Sequence, residues 1–180
     1  MKTTNIAAAI LAGTAVLVAS PAFAGSTVAG NTIAVGLTIQ DQCTISAPAS
    51  LSFGSHGIIL SNVDSTADIT IECTKETPYS IALDDGENAA DAVNTTRSLK
   101  NADGDYIDYE LYRDSNRTNL WGSTVGTGGV PGNTVDSASA AGADEVITIF
   151  GRVPSHQNQP IGTYADHVTA TIWYAAQAAN

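Results

Sequence analysis

The sequence predicts an all-β protein. Apolar residues alternate with polar or small ones over short segments, and Gly, Pro, Asn, Asp and Ser punctuate those segments at short intervals. Almost no stretch carries the i, i+3, i+4 apolar spacing of a helix. A period of two sends successive side chains to opposite faces, so each segment can bury one face and wet the other, and short segments of this kind stack as a β-sandwich. A small barrel gives a similar pattern.

The first element is not part of the fold. Met1 and Lys2 open a short positive region, residues 6–18 are an Ala-rich apolar run too short to span a bilayer securely, and Pro21-Ala22-Phe23-Ala24 supplies a small-x-small cleavage site. Residues 1–24 therefore read as a secretory signal peptide, and fold reasoning starts at Gly25. No membrane insertion is expected after cleavage.

The second element is a strand over residues 31–39, where Ile33, Val35, Leu37 and Ile39 alternate with Ala34, Gly36 and Thr38. Its length suits one span across a sheet face. Such a strand needs a groove to fill, in its own domain or in a neighbouring copy. The strand precedes Cys43, the first of two cysteines; the other is Cys73. Neither sits in a CxxC pair or beside a histidine, and an exported chain with an even count favours a disulfide over a thiol nucleophile or a metal site. Closing that loop stabilises a fold by about 3–4 kcal/mol in the chain-entropy model.

The remaining strands follow from alternation: Ala67-Ile69-Ile71-Cys73, Tyr79-Ile81-Leu83, Tyr109-Leu111 with its flanks, residues 146–150, and Val168-Ala170-Ile172-Tyr174. Asp84-Asp85-Gly86, Asp103-Gly104, residues 126–132 and residues 137–142 carry turn or loop chemistry, the last two inside a long small-residue insertion. Gly162-Thr163-Tyr164-Ala165-Asp166 places a tyrosine just before a late strand, where its ring can pack under the sandwich and its hydroxyl return to nearby backbone as a tyrosine corner does. No internal repeat or linker marks a second sandwich.

Composition excludes several functions. With 7 basic against 18 acidic residues and a formal net charge of −11, the chain lacks the basic footprint of a nucleic-acid binder. His56, His156 and His167 are scattered, with no HExxH and no carboxylate spacing that predicts a metal site or catalysis. Asn101-Ala102-Asp103-Gly104-Asp105 with Asp108 faintly suggests a calcium loop, but the sixth position lacks glycine and Tyr112 stands at the twelfth, so it reads as a solvated acidic turn. No GxSxG is present, and Trp121 and Trp173 read as packing residues. A secreted enzyme lacks any supporting constellation.

Several motifs occur in one order along the chain: Gln42-Cys43-Thr44-Ile45, Leu51-Ser52-Phe53-Gly54, residues 69–73, Tyr79-Ser80-Ile81-Ala82-Leu83-Asp84-Asp85-Gly86, Arg97-Ser98-Leu99, Tyr109-Glu110-Leu111-Tyr112-Arg113-Asp114, Leu120-Trp121-Gly122, Phe150-Gly151-Arg152-Val153-Pro154 and Gly162-Thr163-Tyr164-Ala165-Asp166. Together they resemble the spore coat protein U domain family, which includes the Csu-type subunits of archaic chaperone-usher pili. The resemblance implies an incomplete immunoglobulin-like Greek-key β-sandwich lacking its last strand, with the open groove filled first by a periplasmic chaperone and later by the N-terminal donor strand of another pilin subunit. It implies no cofactor. The sequence runs only a few residues past the strand ending at Tyr174, so no seventh C-terminal strand is expected.

On this reading residues 1–24 are the signal peptide, residues 25–41 a donor-strand extension with Ile33, Val35, Leu37 and Ile39 as its inserting side chains, and residues 42–180 the pilin domain. The implied partners are a periplasmic chaperone, an outer-membrane usher and other pilins. The implied product is a cell-surface fimbria supporting adhesion and biofilm. In the alternative, residues 31–39 complete their own domain and the protein is a self-complemented secreted or coat-associated binding domain that does not polymerise.

Overall fold

A computed structural model describes residues 30–89, 96–126 and 132–174; the expected signal peptide and most of the loop over residues 126–132 lie outside these. The described residues contain eight strands and no helix: β1 (Cys43–Ser46), β2 (Val63–Cys73), β3 (Tyr79–Leu83), β4 (Arg97–Lys100), β5 (Tyr106–Tyr112), β6 (Val135–Ser137), β7 (Glu145–Val153) and β8 (Ala170–Tyr174). They form two antiparallel sheets, one in the order β1-β2-β7-β5-β4 and one in the order β6-β3-β8. This is an immunoglobulin-like sandwich, all-β as the alternation predicts.

The backbone of the larger sheet is the long β2–β7 ladder, which runs from Val63↔Val153 to Ile71↔Glu145. Because the pleat has a period of two, this register places Ile69, Ile71, Ile149 and Val153 on one inner face. Tyr79, Ile81 and Leu83 from β3 meet them from the smaller sheet. Between the sheets lies Trp121, fully buried, with its indole N–H donating to the Ile81 carbonyl at 2.9 Å. Burial of so large a ring is tolerated because its one polar group is paired.

Three short strands escaped the sequence reading. Four-residue β1 and β4 are too brief to show a periodicity, and β6 lies within the insertion read as loop chemistry, after the first of its two turn segments. Pairing with β3, Tyr79↔Ser137 to Ile81↔Val135, makes that last segment a strand. The final strand begins at Ala170 rather than Val168, because Thr169 is instead tied to Asp84: its N–H donates to Asp84 Oδ1 at 2.9 Å and its carbonyl accepts from Asp84 N–H at 3.1 Å. Trp173, expected to pack, faces outward and is 44% exposed, since Ala170 and Ile172 take the inward positions of β8.

Two of the predicted turns have the expected backbone. Gly86 and Gly104 have φ of 81° and 94°, a left-handed region that costs glycine little. The acidic turn is organised by Asn101: its Oδ1 accepts from the N–H groups of Asp103 at 3.1 Å and Asp105 at 2.7 Å, and its Nδ2 donates to Asp105 at 2.9 Å. Those groups are occupied in closing the β4–β5 hairpin. Among the described residues no cluster of three or more His, Cys, Asp or Glu is placed to hold a metal ion.

The chain divides after Leu37 into two units. Of the first, residues 30–37 are described; they belong to no strand. An isolated segment has no ladder partner, so alternation alone does not make it a strand.

Candidate functional site

Two sheet edges and the core between them make the site. Among the described residues β8 pairs only with β3 and β1 only with β2, so each ends its sheet there. Edge strands carry backbone donors and acceptors that a further strand can use. Between β8 and the segment following β1 lies a cleft of about 220 Å³, and all its lining residues fall within residues 47–170.

The floor of the cleft is the core itself. Ile69, Leu83, Leu111 and Ile149 are buried there, whereas Leu51, Phe53, Leu99, Val168 and Ala170 around them are only half-buried. In β8 the inward Ala170 and Ile172 are also half-buried, beside exposed Thr171. An inward face left half-wet over a complete hydrophobic floor is what a sandwich with an uncovered edge presents. Covering it would remove apolar surface from water at roughly 25 cal/mol per Å².

One end of the cleft is polar and organised by Asp166. Its Oδ1 accepts from the N–H groups of Glu87 at 3.0 Å and Asn88 at 3.2 Å and from Asn88 Nδ2 at 2.9 Å; its Oδ2 accepts from the Tyr109 hydroxyl at 2.8 Å. Burial, reinforced by that hydrogen bond, pushes the Tyr109 hydroxyl well above the usual phenol range, so it stays a donor. Gly86 sits so close that a Cβ there would collide with the Asp166 carboxylate.

Behind this end Arg97 is wholly buried in β4 and reaches the other sheet. Its Nε and Nη2 donate to the Asp84 carbonyl at 2.8 and 2.6 Å, and Nη2 also reaches the carbonyls of Leu83 at 3.3 Å and Trp121 at 2.8 Å. Burial lowers its pKa, opposed by the charge or dipole of Tyr109, Glu110, Asp85 and Asp84. Burial likewise lifts Glu110 to about 7, with Arg97 holding it back.

That shift has a testable sign. Folded Glu110 binds its proton more tightly than the unfolded chain does, so its contribution to stability falls as pH rises between the ordinary value of 4.5 and about 7. Discounted for partial solvent access, the effect is about 1–2 kcal/mol. Glu110→Gln is therefore expected to be more stable than the parent at pH 8 and to flatten the pH dependence between 5 and 7. Parallel urea titrations check this; equal midpoint differences at pH 5 and 8 would refute it.

Of the residues singled out in the sequence, Cys43 and Cys73 are disulfide-bonded and face each other across the β1–β2 ladder. The Tyr164 hydroxyl donates to the Pro160 carbonyl four residues upstream at 2.9 Å and accepts from Asn101 Nδ2 at 3.3 Å. Ile33, Val35, Leu37 and Ile39 are 84, 93, 89 and 73% exposed. The sequence reading missed Asp166 and Arg97 as organisers, although both lie in motifs it quoted. Only the burial of Arg97 distinguishes it, because an arginine in an alternating strand ordinarily faces water.

The Spore Coat Protein U domain family matches residues 29–171. A relative from Myxococcus xanthus, Protein U, is 32% identical over 180 aligned positions, covering 93% of this chain and 96% of that protein. A similar solved structure is the pre-assembly complex of the CsuC chaperone and CsuE tip adhesion subunit from the archaic chaperone-usher Csu pili of Acinetobacter baumannii. It superposes with a TM-score of 0.53 at 20% identity, over 75% of this chain and 40% of that one. At that identity the likeness concerns the fold.

Proposed function

Because this chain belongs to the Spore Coat Protein U domain family, we propose that it is a structural pilus subunit that polymerises by lending residues 31–39 to the open cleft of the next molecule. Residues 1–24 direct export, residues 25–41 carry the donor strand and residues 42–180 receive one. A periplasmic chaperone covers the cleft before assembly, an outer-membrane usher passes the subunits outward, and the product is a surface fimbria supporting adhesion and biofilm.

One observation carries the reading. The described residues include an apolar cleft between sheet edges and four alternating aliphatic side chains, none of them among its lining, that are at least 73% exposed. Exposed aliphatics at period two match what such a cleft lacks: backbone partners for the edges and side chains for the half-wet face. Burying all four contributes on the order of 6–12 kcal/mol, an upper estimate. Donor and acceptor are different surfaces, so the contact is heterologous and propagates as a filament.

Leu37→Asp tests it, since a carboxylate at a central inserting position cannot be buried without its partner. Co-expressed with the chaperone, the parent is expected to yield a chaperone complex and an SDS-resistant ladder. The variant should keep the chaperone complex and lose the ladder. A parent that elutes as a stable lone monomer, or a variant with unchanged fibre yield, would overturn the proposal in favour of self-complementation.

A further inference from the structure

The residues joining the exposed aliphatic segment to the sandwich are bolted down. Gln40 and Gln42 carbonyls accept from Thr74, the first from its hydroxyl at 3.0 Å and the second from its N–H at 2.8 Å. The Thr77 hydroxyl donates to Asp41 Oδ1 at 3.0 Å. The very next residue, Cys43, is disulfide-bonded to Cys73. The clamping turn is itself immobilised: Thr77 is wholly buried, its carbonyl accepts from Ala140 N–H at 3.0 Å, and Glu76 N–H donates to the Ala140 carbonyl at 2.9 Å.

Three hydrogen bonds on three successive residues exceed what a passive connector needs. A Gly- or Ser-rich linker would leave a free joint, whereas here the last inserting side chain, Ile39, directly precedes an anchored residue. We propose that Thr74 and Thr77, acting on Gln40, Asp41 and Gln42, form an orientation clamp that sets the angle between successive subunits. The inference rests on the polymer reading above. Thr74 and Thr77 are positioning residues: they touch no donor or acceptor surface and act through the tether. Without slack, rotating one sandwich against the next requires breaking the clamp, so the filament behaves as a jointed rod of fixed angle.

The test uses two readouts on the Thr74→Val, Thr77→Val double variant, with Thr77→Ser as the control that keeps the hydroxyl. In the unassembled full chain, backbone 15N relaxation should show Gln40, Asp41 and Gln42 as ordered as β1. The double variant should lose that order at Gln40 and Asp41, whose bonds come from the two hydroxyls, while Gln42 keeps its bond from the Thr74 backbone N–H and stays ordered; Thr77→Ser should retain order at all three. In electron micrographs, variant filaments should form with the same SDS-resistant ladder but with a wider spread of inter-subunit angles and a persistence length shorter by about twofold. Mobile tether amides in the parent, or an unchanged angular spread in the variant, would overturn the clamp. A parent that makes no filament would instead overturn the polymer reading and the angular role with it, while the relaxation data still decide whether the tether is anchored. A thermal scan of each variant separates loosening of the tether from loss of the fold.

Discussion

Arg97→Met is expected to cost about 3–5 kcal/mol, enough to unfold a marginal domain. The side chain is wholly buried and donates from β4 to the carbonyls of Leu83, Asp84 and Trp121, which belong to the end of the opposite sheet and the loop beside it. Methionine fills the volume and supplies no donor, so three carbonyls lose a charged partner, each worth roughly 1.5–3 kcal/mol. Two effects offset part of that: a desolvated charge is removed, and Nη1 has no hydrogen-bond partner among the described residues to lose. The damage should reach the cleft, because Asp84, held by Arg97, in turn ties Thr169 at the start of β8. Urea unfolding of the oxidised full chain checks the magnitude. Arg97→Lys should recover only part of the loss, since an ammonium cannot span the same carbonyls; a Met variant within about 1 kcal/mol of the parent would refute the cross-sheet role.

Replacing both cysteines by serine is expected to cost about 3–4 kcal/mol, the loop-closure value for a separation of 30 residues. The effect should be larger on the cleft than on the rest of the sandwich. β1 is four residues long and among the described residues pairs with β2 alone, so the disulfide at Cys43↔Cys73 is a large part of what holds this edge in place. The β2–β7 ladder, nine pairs long, should survive. Hydrogen exchange on the oxidised and doubly substituted chains distinguishes the two cases: lost protection concentrated in β1 is expected, and uniform loss would show that the bond acts on the whole fold instead.

Much of this was legible in the residues. Alternation around Ile69, Ile71, Ile81, Leu83 and Leu111 located the central strands, because a face buried in one core forces a period of two on every strand that lines it. The Cys43–Cys73 bond followed from the expectation of export and an even cysteine count. What was not legible had a common cause. Four-bond nodes such as Asp166 with Tyr109, Asn88 and Glu87, or Arg97 with its carbonyls, join distant positions, and no local pattern announces a long-range polar contact. The same holds for Thr77, whose burial depends on the Ala140 loop packed over it. β6 needed β3 beside it before three residues could count as a strand.

The residues alone therefore determined the class of fold, the inward faces, the disulfide and an alternating apolar segment over residues 31–39, since each depends on short-range periodicity or on the chemistry of single side chains. Only the tertiary structure decided that β1 and β8 end their sheets among the described residues, that the floor between them is core, and that Arg97, Asp166 and the Thr74–Thr77 turn brace that region. Edges, clefts and buried charges are properties of which strands become neighbours, and neighbourhood is settled by packing the whole chain.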